Sequence, residues 1–337
     1  MRRRTPLILT LTLALVANLL AAQLAAEAQQ AGKVYRIGSL AAGVPLPHVV
    51  TAIAGFRLEL HRRGYVEGQN VFFEERWAQG RLERLPELAG ELLRANVDLI
   101  VAGGTPNALA ARKVSATIPI VAVGATTVVE SGLVLSLSKP GGNVTGVTAH
   151  AAEEEWAKRL ELLLEVAPRA RNIAVVLNPA YPGVAVYGEQ LQTAARKLGV
   201  TLQPTEVRSP ADFDAAFVAL AQRPTQALLV VLDQVVASQG GRIIDFASTT
   251  RLPTMWAGVF GRGFVEAGGL MAYSASLDGL WRQAAVYVDK ILKGARPADL
   301  PMEQPTKFEL VINLKTAKSL GLTIPQPVLL RADQVIQ

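Results

Sequence analysis

The sequence predicts an α/β protein built as two doubly wound parallel-sheet lobes joined by a hinge. Short β-branched or aliphatic runs alternate with amphipathic stretches along nearly the whole chain, the pattern of repeated βαβ units. Two of those runs, Asp98–Ala102 and Ala227–Leu232, are almost continuously apolar, as strands covered by helices on both faces must be. The alternation also passes through two successive series in 337 residues, a length that suits two domains.

In the first series, strands are expected at Val34–Leu40, Asn70–Trp77, Val97–Ala102 and Pro119–Val123, with helices over 48–63, 82–95 and 106–116. The second series places strands at Asn172–Leu177, Thr201–Val207, Ala227–Leu232 and Pro253–Ala257. Its helices are expected over 152–166, 184–198, 210–222 and 239–250. The Pro-Gly-Gly turn in Lys139–Gly146 reads as a crossover between lobes, and Gly268–Ser274 as the return. A helix over 278–293 would then pack on the first lobe, and a third crossing is expected in the proline-rich stretch 297–314. The expected partition is 33–145 plus about 273–310 for the first lobe, and 146–272 plus about 311–337 for the second. A single linker between independent domains would be polar and long, and no such stretch is present.

Open α/β sheets bind ligands beyond the carboxyl ends of their strands, often at helix N-termini. Gly103, Gly104, Thr105 and Pro106 follow a buried strand; glycine lets a ligand approach, and the helix start favours a carboxylate. The same residues also describe an ordinary capped turn. Thr126 follows the next strand, Asn178 the strand at 172–177, and Ser39 of the first strand joins the set of polar candidates. Asp233 ends the run 227–232, where it suits either a ligand's ammonium or hydroxyl group or the cap of the following helix. Trp256, Phe260 and Tyr273 lie near strand ends, placed either to stack on a ligand ring or to fill the core.

No catalytic constellation accompanies these residues. His48, His61 and His150 have no metal-ligand spacing, and there is no nucleophile elbow, phosphate-binding loop or dinucleotide fingerprint. His48 is read as a loop residue, exposed or facing the cleft. Glu153, Glu154 and Glu155 open a helix, where its dipole favours negative charge. Binding without cofactor, metal or turnover is therefore expected.

Five segments in one order resemble the substrate-binding proteins of ABC transporters, in the subgroup of TrpX-like tryptophan and tyrosine binders. They are Gly64–Asn70, Lys139–Gly146, Phe264–Met271, Val288–Gly294 and Gln304–Asn313. The resemblance runs from about Val34 to the C-terminus. It implies a type I periplasmic-binding-protein fold and an ABC permease as partner. Many relatives carry an Asp-Pro pair after the fourth strand, where this chain has Ala125, Thr126 and Thr127, so an ammonium partner is lost at that place.

The N-terminus assigns the compartment. Arg2, Arg3 and Arg4 precede an apolar run from Pro6 to Ala22, and small residues sit at Ala26 and Ala28. That order reads as a secretory signal cleaved after Ala28 rather than a retained anchor, with general secretion favoured over the twin-arginine route. The chain has no cysteine, which excludes disulfides, thiolate metal sites and a lipid-modified N-terminal cysteine. Loss of residues 1–28 takes the net charge from +6 to +4, spread along the chain as a solvated surface rather than clustered as a nucleic-acid footprint. The expected protein is a monomeric periplasmic carrier that captures a small amino-acid-like or aromatic carboxylate ligand and delivers it to a permease. The alternatives are a periplasmic sensory module and, more remotely, an enzyme on the same fold.

Overall fold

The computed structural model describes residues 33–149, 154–181 and 184–337. The expected signal at 1–28, together with His150 and Glu153, lies outside the described residues. The chain runs β1 (Tyr35–Ala41), α1 (Pro47–Arg62), β2 (Val71–Trp77), α2 (Leu85–Arg94), β3 (Leu99–Gly103), α3 (Thr105–Val114), β4 (Ile120–Ala125) and β5 (Val144–Thr148). It continues through α4 (Glu154–Val166), β6 (Asn172–Leu177), α5 (Val184–Leu198), β7 (Thr201–Glu206), α6 (Phe213–Ala221) and β8 (Ala227–Val231). Next come α7 (Gln234–Ser238), α8 (Gly240–Thr250), β9 (Thr254–Ala257), α9 (Gly261–Glu266), β10 (Met271–Ala275) and α10 (Leu277–Leu292). The last elements are β11 (Phe308–Asn313), α11 (Leu314–Ser319), α12 (Gln326–Leu329) and β12 (Gln334–Ile336).

These elements form two sheets. The first has the order β2-β1-β3-β4-β5 and is parallel throughout. The second has the order β12-β11-β10-β9-β8-β6-β7; it differs from the parallel expectation because β11 runs antiparallel to β10. That reversal follows from the hinge, since the chain returns to the second sheet from the opposite lobe. Apolar clusters cover both faces of each sheet, which is why β5 and β8 are buried at every residue. Two edge strands, β2 and β7, are more exposed. β2 carries Glu74, Glu75 and Arg76, and β7 carries Pro204, which an edge tolerates because one side of the strand has no partner.

Two helices begin differently from the sequence expectation. Residues Leu82–Arg84 and Pro210–Asp212 form 3₁₀ turns ahead of α2 and α6, the second closed by a capping box between Ser209 and Asp212. Sheet membership also moves the lobe boundaries by a few residues: Val147 and Thr148 stay with the first sheet, and Tyr273 and Phe308 pair within the second. The chain therefore crosses between lobes after Thr148, between Ala275 and Leu277, and between Glu303 and Phe308. α10 belongs to the first lobe and packs on α1. Its buried Asp289 accepts a hydrogen bond from the Tyr65 hydroxyl (3.1 Å) and pairs with Lys293 (2.8 Å) and Arg63 (3.4 Å). Two of the five family-like segments meet at this point.

The Lys139–Gly146 segment is equally structural. Asn143 Nδ2 donates to the carbonyls of Ser115 (2.9 Å) and Ile118 (2.7 Å), tying the loop to the end of α3. Gly146 has φ +135°, and a Cβ there would fall on the backbone of Ala122 in the neighbouring strand. Gly146→Ala should therefore destabilise the fold by about 2 kcal/mol or more, since both strain and strand separation oppose it. Gly142→Ala, with open space around it, should stay within about 0.5 kcal/mol by calorimetry.

Candidate ligand-binding cleft

Because parallel strands end on one edge, the loops after β1, β3 and β4 of the first lobe face those after β6, β8 and β9 of the second. Between them lies a cavity of about 490 Å³, within the range of small-molecule sites. Its walls are mostly apolar and aromatic. Trp77 and Trp281 come from the first lobe, and Trp156, Tyr181, Tyr187, Phe260 and Phe264 from the second. Three of the four tryptophans in the chain thus reach one cavity, a concentration suited to a flat ring.

The aromatic walls are braced from behind. The Trp156 and Tyr187 rings lie 5.0 Å apart, and the Arg159 guanidinium sits 4.4 Å from the Trp156 ring centre. Arg159 is fully buried; it pairs with Glu155 and donates from Nε to the Tyr273 carbonyl (2.8 Å). Burial pushes its pKa down, opposed by the Glu155 charge. Trp256 stacks on Phe264 at 4.7 Å and so supports a cavity residue without reaching the cavity itself.

Asp233 lines the cavity as its single carboxylate among the described residues. Its expected role as a helix cap is met, and the same side chain faces the cavity. Oδ1 accepts from the Val236 N–H (2.8 Å), capping α7, and Oδ2 accepts from Asn178 Nδ2 (2.6 Å). Burial raises its carboxyl above the ordinary value, while those two donors work against the rise. Asn178 Oδ1 accepts from the Ala180 N–H (3.0 Å), so this residue positions Asp233 and does not itself line the cavity.

On the opposite wall, Gly104 adopts φ +89° and starts α3. Gly104 and Thr126 line the cavity as placed by the sequence. Thr105 does not. It is fully buried, its Oγ1 donating to the Thr126 carbonyl (2.7 Å) and accepting the Thr126 N–H (2.8 Å). The expected carboxylate contact from its hydroxyl is corrected accordingly: both functions of that hydroxyl hold the neighbouring loop. Thr126 Oγ1 in turn lies 3.0 Å from the Tyr181 hydroxyl, a hydrogen bond that spans the two lobes.

Three further candidates sit elsewhere. Ser39 is in the middle of β1, in register with Glu75 and Val101. Trp256 is core, with its Nε1 donating to Thr254 Oγ1 (3.1 Å). Tyr273 stacks on Phe308 at 5.6 Å and contributes its carbonyl to Arg159. The sequence reading missed Trp77, Trp156, Tyr187, Phe264 and Trp281. Trp77 ends a strand, so strand-end position signalled it; the helical positions of Trp156, Tyr187, Phe264 and Trp281 carried no such signal.

Two lobes closing on an aromatic cavity across three chain crossings define a two-lobed solute-binding protein. The chain belongs to the ABC transporter substrate binding protein family, whose model matches residues 40–336. It is 27% identical over 276 residues to a tyrosine-binding protein of Clostridioides difficile (strain R20291), covering 82% of this chain and 78% of that protein. The structure of an ABC domain from Streptococcus pneumonia in complex with L-Trp superposes with a TM-score of 0.83. That structure is 26% identical, and the match covers 90% of this chain and all of that one. The ligand-free, open structure of a substrate binding protein with adhesive properties from Clostridium difficile, also 26% identical with coverage of 90% and 100%, superposes less well, at 0.68. The fold is the type I periplasmic-binding-protein fold, shared with more distant solute-binding proteins.

His48 lies at a second, smaller contact between the lobes. Its ring covers Gly263 of α9 and approaches Phe260 (6.2 Å), beside a cavity of about 180 Å³ lined also by Arg262, Glu266, Asp278 and Glu309. Burial lowers its pKa, Glu266 opposing the change and Arg262 adding to it. The folded form then binds fewer protons than the unfolded chain. Its stability is complete above the unfolded value of about 6.5 and is lost as pH falls through that value toward the folded one. The melting temperature should drop more steeply in the wild type than in His48→Gln between about pH 7.5 and 5.5.

Proposed function

We propose that this protein is the periplasmic solute-binding component of an ABC importer, capturing a small aromatic, amino-acid-like ligand and handing it to a membrane permease. The observation that carries this reading is the aromatic cavity between the lobes, with one buried carboxylate fixed on its wall. The tyrosine-binding relative and the L-Trp complex support the same ligand class. The expected export signal and the family together support a periplasmic location, with the mature chain acting as a free monomer.

The mechanism is binding coupled to closure. A ligand that touches both walls makes its full set of contacts only when the lobes meet, so it shifts the open–closed equilibrium toward the closed form. Burying an aromatic side chain of about 200 Å² contributes roughly 5 kcal/mol at about 25 cal/mol/Å². A charge-assisted hydrogen bond at Asp233 adds about 1.5–3 kcal/mol. Micromolar affinity, about 8 kcal/mol net of the cost of association, therefore also needs packing against the opposite wall and further hydrogen bonds. The Thr126–Tyr181 bond adds to closure directly, so the permease would meet a shape that reports occupancy.

A thermal-shift and calorimetric screen of aromatic amino acids tests this. At 100 times Kd the cognate ligand should stabilise the protein by about 2.7 kcal/mol, a rise of roughly 4 °C. Absence of stabilisation by every aromatic solute would remove the proposal. Tyr181→Phe, which deletes the interlobe hydrogen bond, should weaken the cognate ligand by about threefold to tenfold, reflecting one hydrogen bond of about 0.5–1.5 kcal/mol.

A further inference from the structure

The charges around the cavity say more about its ligand than the aromatic walls do. Among the described residues lining it there is no lysine, arginine or histidine, and Asp233 is the single carboxylate. No cation pairs with Asp233 among the described residues either, so its charge is held by neutral donors, the Asn178 amide and backbone N–H groups at the start of α7. A zwitterion brings no net charge to such a site. A monocation neutralises it.

The corner where a carboxylate was expected is short of donors. The Gly104 N–H donates to the Val123 carbonyl (2.8 Å), and Pro106 has no N–H. The Thr105 hydroxyl donates to the Thr126 carbonyl, and the Thr126 N–H donates back to it. Thr126 Oγ1 is bonded to Tyr181 across the cleft. Each of these four positions is engaged or absent, so a ligand carboxylate at this corner would have only the first-turn N–H groups of α3 and the remaining proton of the Thr126–Tyr181 pair to meet. Asp233 is the reverse case. Its oxygens accept from neutral donors and meet no cation, and the surrounding rings favour a cation further.

We infer that the site reads an aromatic amine: the ammonium at Asp233 is the charged group recognised, and a free carboxylate is not required. Aromatic monoamines of the indolyl- or hydroxyphenyl-ethylamine type are bound at least as tightly as the matching amino acids. This rests on the aromatic, amino-acid-like ligand class proposed above and narrows it.

The test is isothermal titration of the purified protein with two series: tryptamine, tryptophan and indole-3-propionate; then tyramine, tyrosine and 3-(4-hydroxyphenyl)propionate. In the series whose ring fits, the amine should bind as tightly as the amino acid or more so, and the acid lacking the amine about thirtyfold or more weakly. Asp233→Asn keeps a residue that caps helices well, so the fold should survive, as its melting temperature will show. That variant should weaken the amine by about thirtyfold and leave the acid nearly unchanged. Tight binding of either amino acid with its amine at least tenfold weaker overturns this inference while leaving the proposed function standing. Failure of all six compounds overturns both.

Discussion

Every parallel strand in this protein ends on the same edge of its sheet, and that constraint shapes the rest. Helices must return the chain on both faces, so both faces are buried and the loops beyond the carboxyl ends are the irregular surface left for recognition. Setting two such sheets edge to edge brings the loops after β1, β3 and β4 against those after β6, β8 and β9. Three crossings hold the lobes in register, and β11 has to run antiparallel to β10 because it arrives from the opposite side. The cavity is thus a consequence of topology, furnished by whichever side chains the loops carry.

Much of that furnishing is indirect. Asn178 fixes Asp233, Thr105 fixes the loop bearing Thr126, and Trp256 supports Phe264. The Tyr273 carbonyl anchors Arg159, which lies over the Trp156 ring. Residues expected to touch ligand therefore shape the site one layer back, where buried polar groups must satisfy one another. A hydroxyl engaged as donor and acceptor with backbone, as in Thr105, holds a loop rigidly but has little left for a solute. Such rigidity is what a carrier needs if closure is to depend on the ligand rather than on loop ordering.

The segments through which the chain resembles its family mark packing more than recognition. Gly64–Asn70 and Val288–Gly294 meet at Asp289 between α1 and α10, and neither lines the aromatic cavity. Lys139–Gly146 ties the end of α3 to β5 and places Gly146 against Ala122. These segments identify the architecture because close backbone approach and buried ion pairs admit few residue types. The walls admit many combinations of rings, so family membership constrains the solute less than it constrains the fold.

Periodicity and continuous apolar runs determined the α/β class, the eight core strands and nearly every long helix, because burial of both sheet faces leaves its pattern in local sequence. Strand-end position also picked out Gly104, Thr126 and Asp233 as cavity residues. What only the tertiary structure decided was which neighbours absorbed each polar group and which rings converged. Trp156, Tyr187 and Trp281 lie on helices whose apolar faces look alike in sequence, whether turned to the core or to the cleft. Thr105 and Asn178 read as ligand contacts until the distances to Thr126 and Asp233 are known. Hydrogen-bond satisfaction is a property of partners brought together from 21 and 55 residues away, and no local pattern records it.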